Sequence, residues 1–269
     1  MKQIFVCFKM VTDYEQILPG DWDMYVPDKD GFEYVRQIIN CFDESALELA
    51  LRIKEDYTKS GQETCLTALT VTEDSDSSFF KTLSAAGFDR VIRIAPSFKG
   101  SFSPMALADD ILAFLRQEPE PYDALLFGQQ AAPFNNGQIP YFIAQSLGIP
   151  AVSNVISLKA EEHSLTAVSQ KTDRMLTYSL RTPALYLIGN CKGTYLRMPT
   201  LRERMSVSKK EFPCYQFPAS EHPDHFPRQL LRNKSERRPA LCKNLTPKEA
   251  AQKILEVIEK EDLCGQKQH

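Results

Sequence analysis

Short apolar runs alternate with amphipathic helical segments over the first 150 residues of this chain. The runs KQIFVCF (2–8), TCLTALTV (64–71), RVIRIA (90–95) and DALLF (123–127) predict buried strands. The segments between them carry apolar residues at helical spacing. Because parallel strands need a crossover helix between them, the alternation predicts an α/β fold, an open and mainly parallel sheet with helices on both faces.

Capping residues mark the ends of several predicted helices. Asn40 precedes one helix and Asp43 stands three residues later, which is the spacing of a capping box. Ser103 followed by Pro104 indicates the start of another helix, and Gly87 indicates the end of a helix over 76–86. We therefore expect helices that begin near residues 41, 76 and 104.

The pattern changes after residue 150. Residues 151–158, 165–169 and 174–181 predict an antiparallel β region, and residues 184–189 predict a further strand. Residues 211–240 contain five prolines and little apolar period, and the capped segment TPKE at 246–249 opens an amphipathic helix. We expect an α/β domain at 1–210 and a proline-rich arm with a C-terminal docking helix at 211–269.

Charge and composition exclude several classes of protein. The net charge of -3 gives no reason to expect nucleic acid as a partner. No apolar run approaches the ~20 residues that span a bilayer, and the N-terminus meets charge too early for a signal peptide, so we expect no membrane insertion and a cytoplasmic protein. The seven cysteines form no C-x-x-C pair, which predicts free thiols and no metal site.

Motifs of common enzymes are absent from the sequence. The chain has no G-x-G-x-x-G, no G-x-x-x-x-G-K-[ST] and no G-x-S-x-G. The sequence therefore predicts no catalytic residue. What remains is the set of loops that follow the predicted strands, where ligands of open α/β sheets bind. Equally, their polar residues could serve only as turn residues without a ligand.

One segment carries a specific family resemblance. NCFDESALELALRIKE (40–55) resembles the corresponding helix of electron-transfer flavoprotein β subunits. KMVTDY (9–14), TLSAAGFDR (82–90), GQQA (128–131) and MPTLRERMSVSKK (198–210) follow in the order of that family. The resemblance covers roughly residues 1–210 and identifies the chain as a divergent member.

The resemblance implies an adenine-nucleotide α-hydrolase-like fold and an α-like partner subunit that provides most contacts to a shared FAD. It also implies a β-subunit site for AMP or, in electron-bifurcating members, a second FAD. Tyr14 and Phe42 match positions beside the partner's flavin ring. The implied cofactor-binding residues are Cys7, Lys9, Tyr14, Asn40, Cys41, Phe42, Val71, Gly128, Gln129, Gln130, Asn135, Asn136, Gly137 and Gln138.

The resemblance further implies a heterodimer that shuttles electrons between redox partners, an electron carrier and not a catalyst in its own right. In the family, an apolar residue before a proline in a late loop anchors dehydrogenases or other redox proteins. Here these positions are Met198 and Pro199, with Leu201 beside them.

Two alternatives stay open at the level of sequence. Glu73, Asp74 and Asp76 follow the second strand and would repel a phosphate, which favours a nucleotide sensor or scaffold of the same fold without redox activity. A weaker alternative is an ATP-cleaving ligase. That class needs a glycine-rich phosphate loop after the first strand, and KMVTDY contains no glycine.

Overall fold

The structure is a computed structural model that describes residues 1–18, 35–74, 77–97, 103–132, 135–161, 164–218 and 242–260. The chain divides into two compact units, Met1–Asp224 and His225–His269. The first unit contains the sheet and the candidate site, and the described part of the second contains a helix.

The first unit is built around one large sheet. In chain order the strands are β1 (Lys2–Cys7), β2 (Met10–Thr12), β3 (Gln37–Ile39), β4 (Thr64–Val71), β5 (Arg90–Ala95), β6 (Ala124–Gly128), β7 (Ala151–Ala160), β8 (Ser164–Gln170), β9 (Met175–Arg181), β10 (Ala184–Ile188) and β11 (Cys214–Gln216). Among the described residues, nine strands form the sheet in the order β11-β5-β4-β1-β6-β10-β7-β8-β9. Neighbours from β11 to β7 are parallel, whereas β8 and β9 pair antiparallel. The predicted fold class is confirmed.

Helices cover both faces of this sheet. The helices α1 (Cys41–Lys59) and α2 (Ser78–Ala86) pack on one face, and α3 (Pro104–Gln117) and α4 (Ile139–Leu147) pack on the other. Alternate residues of β1 belong to the two cores because successive side chains of a strand point to opposite faces. The segment between β10 and β11 is called the late loop, and it contains a short helix, α5 (Leu201–Ser206).

One predicted helix cap differs from the structure. Ser103 caps α3 as predicted, since its hydroxyl accepts a hydrogen bond from the Ala106 N–H at 3.1 Å. Asn40 precedes α1, but its side chain accepts no hydrogen bond from an N–H group of the first turn. The predicted capping box of Asn40 and Asp43 is wrong because both side chains bind strand-end loops instead.

The antiparallel region predicted after residue 150 is confirmed as β7, β8 and β9, and it extends the main sheet because β7 also pairs parallel with β10. At the opposite edge, β11 adds a strand that the sequence did not predict, within the stretch expected to form the arm. The boundary at residue 210 stays a prediction, and residues 219–241 of the arm lie outside the described residues.

Two smaller elements complete the description. β2 and β3 pair antiparallel at the two ends of an excursion whose residues 19–34 lie outside the described part. In the second unit, α6 (Pro247–Lys260) begins with the predicted capping box, because the Glu249 N–H donates to the Thr246 hydroxyl at 3.4 Å and the Thr246 N–H donates to the Glu249 carboxylate at 2.8 Å. Within the described ranges, no helix has the length and apolar character needed to cross a bilayer.

Candidate functional site

A cavity of about 270 Å³ lies at the carboxyl ends of β1 and β4. The loop after β1 lines it with Lys9, Thr12 and Tyr14, and the loop after β4 lines it with Glu73 and Asp74, among others. Ala132 from the loop after β6 completes the wall. The cavity therefore lies at the edge of the sheet where ligands of open α/β folds bind.

The buried carboxylate of Asp43 joins the ends of β1 and β6 beside this cavity. One oxygen accepts a hydrogen bond from the Lys9 N–H at 2.9 Å, and the other accepts from the Gly128 N–H at 2.7 Å. Burial raises the pKa of Asp43 to about 6, although these hydrogen bonds oppose the rise. A Cβ atom at Gly128 would lie 2.3 Å from the Asp43 carboxylate, so the approach requires glycine.

Lys9 and Asn40 bind the loop after β6. The Asn40 amide donates to the Gln130 carbonyl at 2.7 Å, and the Lys9 ammonium donates to the Ala132 carbonyl at 2.8 Å. The Asn40 N–H in turn donates to the Lys9 carbonyl at 3.0 Å. Together with the Asp43 contacts to Lys9 and Gly128, these hydrogen bonds connect four of the residues expected at the site into one hydrogen-bonded group. The four residues are Lys9, Asn40, Gly128 and Gln130.

The remaining predicted residues near α1 and β4 surround this group at different depths. Cys7 is buried at the end of β1, Cys41 is exposed at the start of α1, and Phe42 is half-buried beside it. Val71 is half-buried at the end of β4, and Tyr14 is half-buried in a 3-10 turn. Of all the predicted cofactor-binding residues, Lys9 and Tyr14 are the two that line the cavity itself.

The loop before α4 has a backbone that can approach a ligand closely. Asn135 and Gly137 have φ values of 50° and 59°, and the Asn136 side chain accepts a hydrogen bond from the Gln138 N–H at 3.3 Å. A Cβ at Gly137 would lie 2.6 Å from the Gln129 carbonyl. The four residues from Asn135 to Gln138 therefore form a tight turn that leads into α4. At this helix start the Tyr141 and Phe142 N–H groups already donate to the Gln138 carbonyl at 3.0 and 3.2 Å, and Pro140 has no N–H.

Two further features bear on the kind of ligand that this site could hold. The Gln129 side-chain carbonyl is buried and has no hydrogen-bond partner within the described part of the chain, but Gln129 is not among the residues that line the cavity. Glu73 and Asp74 line the β4 side of the cavity, and Arg93 donates to their backbone carbonyls at 3.3 and 3.4 Å. That side therefore suits an uncharged moiety.

Polar lining residues outside the predicted set also belong to the site. Thr12, Gln37 and Thr72 line the cavity and were not among the expected cofactor-binding residues. Gln37 lies in β3 at the end of the excursion after β1, where the sequence has no clean period. Gln37 pairs with Thr12 between the antiparallel strands β2 and β3, and this pairing brings Gln37 to the cavity. No sequence signal marks the pairing.

The late loop exposes two of the three residues predicted to bind a partner. Met198 and Leu201 are 73% and 74% exposed, whereas Pro199 is buried between them. Arg197 beside them donates to the buried Glu48 carboxylate of α1 at 2.9 and 3.1 Å and also binds Glu55. Burial alone would raise the pKa of Glu48, but its hydrogen bonds with Arg197 and with Arg52 lower that pKa.

Two further contacts bind this loop to α1. The Ser45 hydroxyl donates to the Thr194 carbonyl at 3.1 Å, and the Leu196 N–H donates to the Glu44 carboxylate at 3.3 Å. The loop therefore has a fixed position relative to the helix that supplies Asn40 and Asp43. In the described ranges, no group of three His, Cys, Asp or Glu side chains is arranged to bind a metal.

Comparison with known proteins gives a family match over more than half of the chain. A sequence model of the family described as Electron transfer flavoprotein domain matches residues 32–188. This range contains α1, Asp43 and the loops after β4 and β6. It does not contain the segment after β1 that lines the cavity with Lys9, Thr12 and Tyr14.

Individual relatives are similar at low identity. A protein of Escherichia coli (strain K12), provisionally named electron transfer flavoprotein subunit YgcR, is 25% identical over 253 residues, which cover 93% of this chain and 95% of the relative. The electron transfer flavoprotein subunit beta of Megasphaera elsdenii is 26% identical over 78% of this chain and 77% of its own length. The subunit beta of Mycobacterium tuberculosis (strain ATCC 25618 / H37Rv) is 24% identical over the same shares.

Proposed function

Because the chain belongs to the Electron transfer flavoprotein domain family, we propose that it is the β-like subunit of a heterodimer that carries electrons between redox partners. Relatives named subunit beta support this assignment. The structural observation that carries it is the Asp43 contact, because it joins the ends of β1 and β6 beside a cavity at the ligand-binding edge of the sheet.

The proposed cofactor is an FAD shared with an α-like subunit, together with AMP or a second FAD in the β-subunit site. When bound, a flavin supplies reversible electron transfer, and the protein supplies binding and orientation. Lys9, Asn40 and the turn at 135–138 are the groups that would hold the nucleotide. Tyr14 and Phe42 are the aromatic groups that would lie near a flavin ring.

The proposed partners are the α-like subunit and a dehydrogenase or other redox protein, in the cytoplasm. Met198 and Leu201 support a docking role because large apolar side chains that are about three-quarters exposed favour burial against a partner. The buried Pro199 between them supports a fixed presentation of both side chains.

Co-expression with an electron-transfer flavoprotein α-like subunit tests the proposal. We expect a stable, yellow heterodimer whose flavin absorbance follows the protein through gel filtration. A Tyr14→Ala variant should retain less flavin, whereas Tyr141→Ala, which replaces an exposed tyrosine outside the cavity lining, should retain as much as the unchanged protein. A colourless monomer that ignores the α-like subunit would refute the proposal.

A nucleotide sensor of the same fold is the second candidate, and the two carboxylates at the cavity wall favour it. Thermal-shift measurements with AMP, ATP, FAD and NADH separate the two functions. An electron-transfer subunit should be stabilised by AMP or FAD. Stabilisation by ATP alone, without flavin binding in the presence of an α-like subunit, would favour the sensor.

A further inference from the structure

The lining of the cavity is rich in hydrogen-bond acceptors. Glu73 and Asp74 contribute carboxylates to it, and Thr12, which is 3% exposed, contributes a hydroxyl. The Lys9 ammonium lies in the same lining but donates to the Ala132 carbonyl at 2.8 Å, so the protein itself uses this cation. The part of a ligand that meets the two carboxylates must therefore donate hydrogen bonds and carry no negative charge.

Glu73 occupies a defined place in the topology of the sheet. It lies two residues beyond Val71, the last residue of β4, and β4 pairs parallel with β1. In doubly wound folds, an acidic residue farther along the first βαβ unit binds a ribose hydroxyl of the dinucleotide. This chain lacks the glycine motif of that unit, but β1, α1 and β4 form a corresponding unit, and Glu73 follows its second parallel strand. The topology therefore places a carboxylate where this class of fold binds a sugar.

The loop that carries Glu73 is fixed by hydrogen bonds to its backbone. The Arg93 side chain donates to the Glu73 and Asp74 carbonyls at 3.3 and 3.4 Å. The Asp74 N–H donates to the Thr72 hydroxyl at 3.1 Å, and the Thr72 N–H donates to the Ile94 carbonyl of β5 at 3.0 Å. Because these bonds position the loop before a ligand binds, binding costs little free energy in ordering it.

The size of the cavity limits what it can hold. Its volume of about 270 Å³ is just below the roughly 300–1,000 Å³ that is usual for small-molecule sites. One nucleoside is therefore a better fit than a whole dinucleotide. The lining also contains Met10 and Val11, which give a base an apolar contact, so the sugar is the part of a nucleoside left to meet the acceptors.

We propose that Glu73 binds the ribose hydroxyls of the nucleotide and makes this cavity specific for ribose that carries no 2′- or 3′-phosphate. The inference rests on the proposed function and adds the class of ligand and the residue that selects it, which was not among the expected cofactor-binding residues. The two hydroxyls would donate to the carboxylate, and such charge-assisted hydrogen bonds are stronger than neutral ones. A phosphate on either hydroxyl would remove a donor and place two negative groups side by side.

Adenosine derivatives test this assignment by isothermal titration calorimetry. The full-length chain, freed of bound nucleotide by dialysis, would be titrated alone and with its α-like subunit. The ligands are adenosine, its 2′- and 3′-deoxy forms, and its 2′- and 3′-phosphates. We expect adenosine to bind and at least one deoxy form to bind about tenfold more weakly, because a hydrogen bond to a charged group is lost. Both phosphates should also bind at least about tenfold more weakly than adenosine, and high salt should reduce this difference because it screens the repulsion.

Variants identify the residue responsible. Glu73→Gln removes the charge at nearly constant size, so it should weaken adenosine about tenfold and bring the affinities for adenosine and its phosphates closer together. Glu63→Gln is the matched control, because it removes an exposed carboxylate directly before β4 and outside the cavity lining, and it should leave these affinities unchanged. Asp74→Asn tests the neighbouring carboxylate and should change the ratio of these affinities less than Glu73→Gln does. Melting temperatures without ligand would verify that every variant is folded.

Several results would overturn the inference. These are no binding of adenosine, equal binding of adenosine and both deoxy forms, equal affinity ratios for Glu73→Gln and Glu63→Gln, and a larger change of ratio in Asp74→Asn than in Glu73→Gln. The flavin absorbance of the same heterodimer reports separately on the proposed function. A yellow heterodimer that does not discriminate between the adenosine derivatives refutes the role of Glu73 alone, and a colourless one that does discriminate refutes electron transfer alone.

Discussion

Arg197→Ala should destabilise the chain more than its position in a surface loop suggests. Its guanidinium donates to Glu48 through Nε at 3.1 Å and through Nη2 at 2.9 Å, and it also binds Glu55. The loop that it anchors is 149 residues from Glu48 in sequence, so the interaction joins distant parts of the first unit. Loss of the side chain would leave the late loop with its backbone contacts to α1.

The magnitude follows from the burial of the acceptor. The Glu48 side chain is 5% exposed, and a hydrogen bond to a charged group at such a site contributes about 1.5–3 kcal/mol. The guanidinium is 37% exposed, and Arg52 still binds the same carboxylate at 3.0 Å, so part of the charge stays compensated. We expect Arg197→Ala to reduce the free energy of unfolding by about 2 kcal/mol, near the lower end of that range.

Arg52→Ala is the matched control. Arg52 also binds Glu48, but within one helix and at i,i+4 spacing, for which about 0.3–0.5 kcal/mol is expected. Urea unfolding at neutral pH, followed by circular dichroism, measures both variants, and their m-values should agree with that of the unchanged protein. Equal losses for the two variants would refute the reasoning, because the tertiary contact would then add nothing to a local ion pair.

The same contact should depend on pH in a defined direction. The pKa of Glu48 is lowered below its usual 4.5 in the folded chain, because hydrogen bonds with Arg197 and Arg52 exceed the opposing effect of burial. The contact therefore stabilises the folded chain fully at pH values above 4.5. This stabilisation is lost as the pH falls through the lowered pKa of Glu48. The difference between Arg197→Ala and the unchanged protein should shrink in the same acid range, and a constant difference would contradict the assignment.

Three other changes have defined outcomes. The pKa of Asp43 is raised from 3.8 to about 6, so its carboxylate costs stability as the pH rises through that interval. Relative to Asp43→Asn, which does not titrate, the unchanged protein should lose about 2 kcal/mol between pH 3.8 and 6 in urea unfolding, and a gain would be the wrong sign. Gly128→Ala should lower the free energy of unfolding by at least about 2 kcal/mol, because its Cβ would lie 2.3 Å from the Asp43 carboxylate, and an unchanged urea midpoint would contradict that contact. Met198→Ser should change the free energy of unfolding by less than about 0.5 kcal/mol, since the side chain is 73% exposed. The same variant should slow electron transfer with a redox partner roughly tenfold in stopped-flow reduction, and an unchanged rate would show that Met198 does not bind the partner.

Local patterns predicted most of the fold because they reflect burial along each element. The run KQIFVCF became β1, in which Phe5 and Val6 belong to opposite cores, as alternation in a strand requires. The cap at Ser103 was also predicted correctly because its partner is three residues away. β11 was not predicted, since three residues carry too little pattern and their pairing with β5 depends on the chain returning to the sheet edge.

The candidate site was predicted in part. The family resemblance identified Lys9, Asn40 and Gly128, and the structure brings them into one bonded group. The role of Asp43 was missed because the spacing from Asn40 favoured a capping box. At that position the N–H groups of Lys9 and Gly128 would otherwise be buried without partners, and the carboxylate satisfies both. The role of the predicted residues in binding a cofactor stays a prediction.

The sequence alone determined the type and order of the elements, since apolar period and cap residues act over a few positions along the chain. Only the tertiary structure decided which distant groups meet: Asp43 with Gly128, and Arg197 with Glu48. A side chain binds the partner that packing brings within reach, and packing depends on the whole core. For that reason the spacing of residues 40 and 43 predicted a local cap, while the folded chain uses both side chains to join strand ends more than 80 residues apart in sequence.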